Sequence, residues 1–102
     1  MMKFGLLGKH LSHSFSQQFF EAHFNESQQS ATYELIEIDS SHALKKFIRD
    51  DILGYRGLNV TIPFKEKLFH YCNYLEKSAQ EAEAVSNVII TPAREFIGIN
   101  LD

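Results

Sequence analysis

What the chain lacks narrows its function first. Its 102 residues include a single cysteine, Cys72, so an internal disulfide is excluded and a reducing compartment fits. No apolar run approaches the roughly 18 residues of a membrane-spanning helix. The opening MMKFGLLGKH carries only a short apolar patch, so no signal peptide is expected. Positive charge is not in excess: ten Lys and Arg stand against thirteen Asp and Glu, a net charge of −3. A broad basic face for nucleic acid is therefore not expected. No GxGxxG or Walker-type loop occurs, which leaves a dinucleotide or nucleoside triphosphate without a recognisable cradle. There are no repeats, low-complexity tracts or linkers. The hydrophobic share, 44%, is ordinary for a globular protein, and the length suits one domain with one core. A cytoplasmic enzyme domain or binding domain is the expectation.

What is present alternates between strand and helix patterns. Residues 3–7, KFGLL, read as a buried first strand ending at Gly8. A Ser- and His-rich loop follows. Phe15, Phe19, Phe20 and Phe24 then make a helical stripe, capped by Ser14 or Ser16. TYELIEID reads as a second strand. Asp39, Ser40 and Ser41 offer the cap for a helix with Ala43, Leu44, Phe47 and Ile48 on one face. YRGLNVTI reads as a third strand, and Pro63 suits the first position of a further helix. Phe64, Leu68, Cys72 and Leu75 would continue that helix along one side. Residues 77–84 suggest a short helix, and SNVIIT and EFIGIN two short strands. This order predicts an α/β fold: an open, mostly parallel sheet of about five to six strands with helices on both faces. In such sheets ligands sit at the carboxyl ends of the strands. Three polar clusters fall there: residues 9–16, 59–65 and 100–102.

Each cluster has a plain reading and a chemical one. Ser14 and Ser16, at a loop-to-helix junction, either cap the helix or help an anion sit at its N-terminus. His10 and His13 have no carboxylate or thiolate at ligand spacing, so no metal site is expected. In GLNVTIPFK, Asn59 and Thr61 share one strand face while Val60 and Ile62 share the other. One face would bury aliphatic groups, and the other would offer an amide and a hydroxyl. Lys65 follows about one helical turn on. The three groups either line a polar strand end or converge on a polyhydroxylated small molecule. Asn100 and Asp102 close the chain, and a carboxylate beside Lys65 would make a pair able to move a proton. Asn87 is either a ligand amide or a turn residue.

Taken together these segments resemble the N-terminal, substrate-binding domain of shikimate dehydrogenases. The family loop Gly-x-Pro-x-x-His-Ser-x-Ser-Pro corresponds to Gly8 through Gln17. The family Gly-x-Asn-Val-Thr-x-Pro-x-Lys is matched in full from Gly57 to Lys65. A Gly-Ala-Val-Asn-Thr segment resembles Ala84 to Val88, and Gly-x-Asn-Thr-Asp resembles Gly98 to Asp102. The resemblance spans residues 1–102. It implies reduction of 3-dehydroshikimate to shikimate with NADPH, the cofactor being held by a C-terminal Rossmann domain absent from this chain. It also implies roles. Ser14 and Ser16 would hold the substrate carboxylate; Asn59, Thr61, Asn87 and Asp102 would bind ring hydroxyls. Lys65 and Asp102 would be the catalytic pair flanking the reacting oxygen.

The chain departs from the family pattern at four points. His10 and Gln17 stand where the family has prolines, which alters loop stiffness and leaves the hydroxyls in place. Leu101 replaces a threonine beside Asp102. Either Ser86 or Asn87 fills the family asparagine; Asn87 is the reading adopted, because Val88 and Ile89 then continue the strand. Because the chain stops where the family's nucleotide domain would begin, it is expected to be a piece of a longer enzyme. Two alternatives are a dehydrogenase for quinate or a related polyol acid, and a stand-alone, non-catalytic small-molecule-binding module.

Overall fold

The computed structural model describes residues 2–11 and 31–102. Among them six strands form one sheet: β1 (Met2–Gly8), β2 (Ala31–Glu37), β3 (Gly57–Val60), β4 (Tyr74–Leu75), β5 (Asn87–Ile90) and β6 (Phe96–Ile99). Their spatial order is β2-β1-β3-β5-β6-β4. β1 pairs in parallel with β2 and β3, and β4 pairs in parallel with β6. β5 pairs antiparallel with both of its neighbours, β3 and β6. The sheet is thus mostly parallel, with β5 alone reversed. That reversal matters for function: the start of β5 lies at the same sheet edge as the carboxyl ends of the other five strands.

The helices are α1 (Ser41–Asp50), α2 (Lys65–Phe69) and α3 (Lys77–Ala82), with a 3₁₀ turn at Ile52–Gly54. α1 begins as its sequence indicates: the Ser40 hydroxyl accepts the Ala43 N–H at 3.1 Å, satisfying one of the open donors of the first turn. α3 ends at Glu83, which takes a left-handed conformation (φ 53°) that costs a residue with a Cβ. Leu44 and Phe47 of α1, Leu68 of α2 and Ala79 of α3 join Leu7, Leu58, Val60, Val88 and Ile90 from the strands in one buried cluster. The helical stripe read at Phe15–Phe24, like Ser14 and Ser16, lies outside the described residues.

Three expectations about the third strand and the helix after it are corrected. Pro63 does not open a helix. It follows a cis Ile62–Pro63 bond inside a turn that closes with the Phe64 N–H on the Thr61 carbonyl at 3.1 Å, and α2 starts at Lys65. Burial of the Phe64 ring, 2% exposed, sets the direction of the chain before the first helical residue. Because the strand ends at Val60, Ile62 is 75% exposed; Leu58 and Val60 are the aliphatic pair that faces the core. Nor does α2 reach Cys72 and Leu75. Tight i→i−3 bonds from His70, Tyr71 and Cys72 end it. Asn73 then bridges to β6: its N–H donates to the Phe96 carbonyl at 2.9 Å, and its Oδ1 accepts the Phe96 N–H at 2.7 Å. This turns the chain into β4. Cys72 and Leu75 still pack against the core, as their spacing indicates, but from a turn and a strand.

Candidate functional site

The site is built where β1, β3 and β6 end and β5 begins. β3 is held at its end by the Thr61 N–H donating to the Leu7 carbonyl (2.9 Å) and the Val60 N–H donating to the Ser86 carbonyl (2.8 Å). The Lys65 carbonyl accepts the Val85 N–H at 3.0 Å, which ties the start of α2 to the segment leading into β5. These main-chain bonds carry Asn59, Thr61, Lys65, Ser86 and Asn87 to one edge of the sheet, although 28 residues separate Asn59 from Asn87.

Lys65 and Asp102, separated by 37 residues, meet: the Lys65 Nζ donates to Asp102 Oδ2 in an ion pair. The ammonium side chain is 27% exposed and the carboxylate 57%. Asp102 is set by a chain of local bonds. Its N–H donates to Asn100 Oδ1 at 2.9 Å; the Asn100 N–H donates to Ser78 Oγ at 3.1 Å, and Asn100 Nδ2 donates to the Ala84 carbonyl at 3.1 Å. The Leu101 N–H donates to Ser86 Oγ at 2.8 Å. The segment 100–102 is thus anchored to α3, to the approach to β5 and to Ser86, so its carboxylate is held opposite Lys65.

Asn59 and Asn87 are register partners across β3 and β5, with Asn87 Nδ2 donating to Asn59 Oδ1 at 2.6 Å. Both amides stand on the sheet face opposite Leu58, Val60, Val88 and Ile90. Thr61 turns its methyl toward Gly8, where an added Cβ would lie 2.5 Å from Thr61 Cγ2 and 2.9 Å from Leu11 Cδ2. Glycine is therefore required at the end of β1 for this close approach. Beside Thr61 opens a hollow of about 460 Å³, lined among the described residues by Lys9, His10, Thr61, Ile62 and Pro63. That is within the size range of small-molecule pockets. A smaller hollow of about 190 Å³ on the sheet face is lined by Phe4, Tyr33, Asn59, Asn87 and Ile89, among others.

Of the residues singled out in the sequence, the structure gathers Asn59, Thr61, Lys65, Asn87 and Asp102 at one edge. Ser86 takes a different part from Asn87: it is buried and anchors Leu101, while Asn87 stands beside Asn59. Tyr33 was not indicated by the sequence. It is buried on β2, and its Oη accepts a hydrogen bond from Asn59 Nδ2 at 2.9 Å. Burial raises the Tyr33 phenol above its ordinary range, and the Asn59 bond offsets part of that shift. Among the described residues no group of His, Cys, Asp or Glu is disposed to hold a metal ion, and no helix is long and apolar enough to cross a membrane.

An α/β sheet with amides, a hydroxyl and a lysine–aspartate pair gathered at its carboxyl edge has the groups that holding a small polar molecule needs. The comparisons with known proteins agree. The pattern described as the shikimate dehydrogenase substrate binding domain matches residues 6–89, and the chain belongs to that family. It is 38% identical over 103 aligned positions to the NADP(+) shikimate dehydrogenase of Staphylococcus aureus, covering 99% of this chain and 37% of that protein. The crystal structure of shikimate dehydrogenase 1 from Peptoclostridium difficile superposes with a TM-score of 0.86 at 31% identity, over 98% of this chain and 37% of that one. A quinate dehydrogenase from Corynebacterium glutamicum, solved with NAD, superposes with a TM-score of 0.83 at 26% identity, over 95% of this chain and 36% of its own. The chain thus spans a little over a third of the length of these relatives.

Proposed function

We propose that the chain is the substrate-binding half of an NADP-dependent shikimate dehydrogenase, which reduces 3-dehydroshikimate to shikimate in aromatic amino-acid biosynthesis. The observation that carries this reading is the Lys65–Asp102 pair, held at the sheet edge beside Thr61, Asn59 and Asn87. Support comes also from family membership and from the name of the Staphylococcus aureus relative. NADP is assigned to a nucleotide-binding half outside these residues, a reading supported by the name of the Staphylococcus aureus relative and by the chain's matching 37% of that protein. When bound there, the cofactor supplies the hydride.

The chain's own residues do the rest. Asn59, Thr61 and Asn87 hold ring hydroxyls, and Ser14 and Ser16 hold the carboxylate. As the ketone carbon is reduced, charge grows on its oxygen. The Lys65 ammonium stabilises that charge and donates the proton that turns alkoxide into alcohol. Asp102 orients the ammonium and accepts a hydrogen bond from the substrate hydroxyl. In the reverse direction Lys65, as the neutral amine, takes the hydroxyl proton. The reading puts the protein in the cytoplasm, where the single thiol stays reduced. A second reading, quinate or a related polyol acid as substrate, is favoured by the likeness to the quinate dehydrogenase.

Steady-state kinetics on the enzyme that joins this chain to its nucleotide half test the proposal. Lys65→Ala should lower kcat on the order of a hundredfold or more, the usual scale for a positioned acid–base group. KM should move much less, because the interaction is made chiefly in the transition state. Near-normal kcat would remove Lys65 from the chemistry. A panel of shikimate and quinate on the same enzyme separates the two substrates.

A further inference from the structure

One set of hydrogen bonds runs from the carboxyl edge of β6 across four strands, and every bond points the same way. The Leu101 N–H donates to Ser86 Oγ (2.8 Å). Ser86 Oγ donates to Asn87 Oδ1 (2.7 Å), in preference to the Ile99 carbonyl at 3.5 Å. Asn87 Nδ2 donates to Asn59 Oδ1 (2.6 Å), and Asn59 Nδ2 donates to Tyr33 Oη (2.9 Å). At its start the direction is set by a backbone N–H, which can only donate, so Ser86 Oγ accepts there. The hydroxyls of Ser86 and Tyr33 can each give or take a proton; in this structure Ser86 gives its proton to Asn87, Asn87 turns its NH₂ to Asn59, and Asn59 turns its NH₂ to Tyr33.

Tyr33 reaches Asn59 for a geometric reason. In the register of the sheet Tyr33 lies beside Phe4, and Phe4 beside Gly57, two residues before Asn59 on the same face. The bond crosses β1 diagonally, because Tyr33 pairs in register with Phe4 while Asn59 pairs with Leu6, two residues further along β1. An aromatic on β2 thereby acts on an amide of β3 without approaching the Lys65–Asp102 pair.

We infer that Tyr33 is a positioning residue: by accepting from Asn59, which is in turn bonded to Asn87, it holds the amides of both asparagines in one arrangement, so that a ligand meets fixed donors and acceptors. The inference rests on the reading of the site given above. A free asparagine can exchange its oxygen and nitrogen by turning about its last torsion. A ligand hydroxyl then meets a mixture of donor and acceptor, and discrimination between neighbouring hydroxyl patterns falls. Locked in one sense, each amide offers one remaining N–H and one remaining lone pair at set positions.

The test compares wild type with Tyr33→Phe, which removes only the hydroxyl, and with Ser86→Ala, which breaks the chain at its other end. Side-chain ¹⁵N–¹H resonances of Asn59 and Asn87 are recorded without ligand, and shikimate is then titrated in. Either substitution should shift both asparagine NH₂ signals and speed their exchange with water. Tyr33→Phe should weaken shikimate binding by about three- to tenfold, the effect of one neutral hydrogen bond, and in the joined enzyme raise KM with kcat little changed. Unmoved Asn59 and Asn87 signals in both variants would overturn the inference, as would unchanged affinity of Tyr33→Phe. A wild-type chain that binds no shikimate would instead overturn the proposed function, while the ligand-free amide signals would still decide the role of Tyr33.

Discussion

Gly8 joins packing to the site, and its replacement can be worked through in some detail. A Cβ at position 8 would lie 2.5 Å from Thr61 Cγ2 and 2.9 Å from Leu11 Cδ2, with the Ile62 carbonyl at 3.6 Å. Ordinary carbon contacts lie near 3.5–4.0 Å, so the threonine methyl must retreat by about 1 Å. Thr61 has little room to do so as a unit: its N–H is bonded to the Leu7 carbonyl, and its own carbonyl accepts the Phe64 N–H. Rotation about χ1 moves the methyl but also moves the hydroxyl proposed to meet the substrate. Gly8→Ala should therefore cost about 1–3 kcal/mol, the range for overpacking. That lowers the melting temperature by about 4–8 °C for each kcal/mol in a domain of this size. Shikimate affinity should fall in the same variant. Gly54→Ala is the matched control: nothing lies within 4 Å of its would-be Cβ, and it should melt within about 0.5 kcal/mol of wild type or slightly above. Thermal melts followed by circular dichroism, with a shikimate titration of each variant, read both effects. A Gly8→Ala chain that melts and binds like wild type would refute the steric reasoning.

Other substitutions and conditions test separate parts of the structure. Leu68, fully buried in α2, should cost about 2–5 kcal/mol when cut to alanine, measured by urea denaturation. Glu83→Gly should stabilise by up to about 1 kcal/mol in the same assay, since it removes a Cβ from a left-handed position at the end of α3. Burial pushes the Cys72 thiol up to about 11, so its alkylation rate should climb toward that pH instead of levelling near 9. The sign for stability follows: the unfolded thiol ionises first, so the contribution of the neutral thiol is intact below about 9 and is lost as pH rises toward 11. Alkaline melts of wild type and Cys72→Ala should converge across that window. The chain alone should show no NADPH affinity by calorimetry, and measurable binding would count against the assignment of the cofactor to another domain.

Local features of the fold were legible from residue patterns, and the long-range ones were not. The KFGLL run, the Ser40 cap and the Leu44–Phe47 face depend on neighbours within a few residues, and they folded as read. The stretch from Phe64 to Leu75 shows why spacing can mislead. Apolar residues at 64, 68, 72 and 75 identify a core-facing side, but not whether helix, turn or strand supplies it. The deciding contact is Asn73 with Phe96, 23 residues away. The site divides in the same manner. GLNVTIPFK announces its own amide, hydroxyl and lysine, whereas the meeting of Lys65 with Asp102 depends on the path of β6 and the anchoring of residues 100–102. Asn87 reaches Asn59 only because β5 runs against its neighbours. Tyr33 gave no signal at all in sequence: a tyrosine in a β-strand reads as core, and its bond to Asn59 crosses an intervening strand.

Whether these 102 residues hold a shikimate site is decided by titrating the chain with shikimate while following backbone and side-chain amide signals. The expected result is a saturable set of shifts centred on Asn59, Thr61, Lys65, Asn87 and Asp102, together with Ser14 and Ser16, and its loss in Lys65→Ala combined with Thr61→Val. Shifts confined to other surfaces, or none at millimolar shikimate, would contradict it.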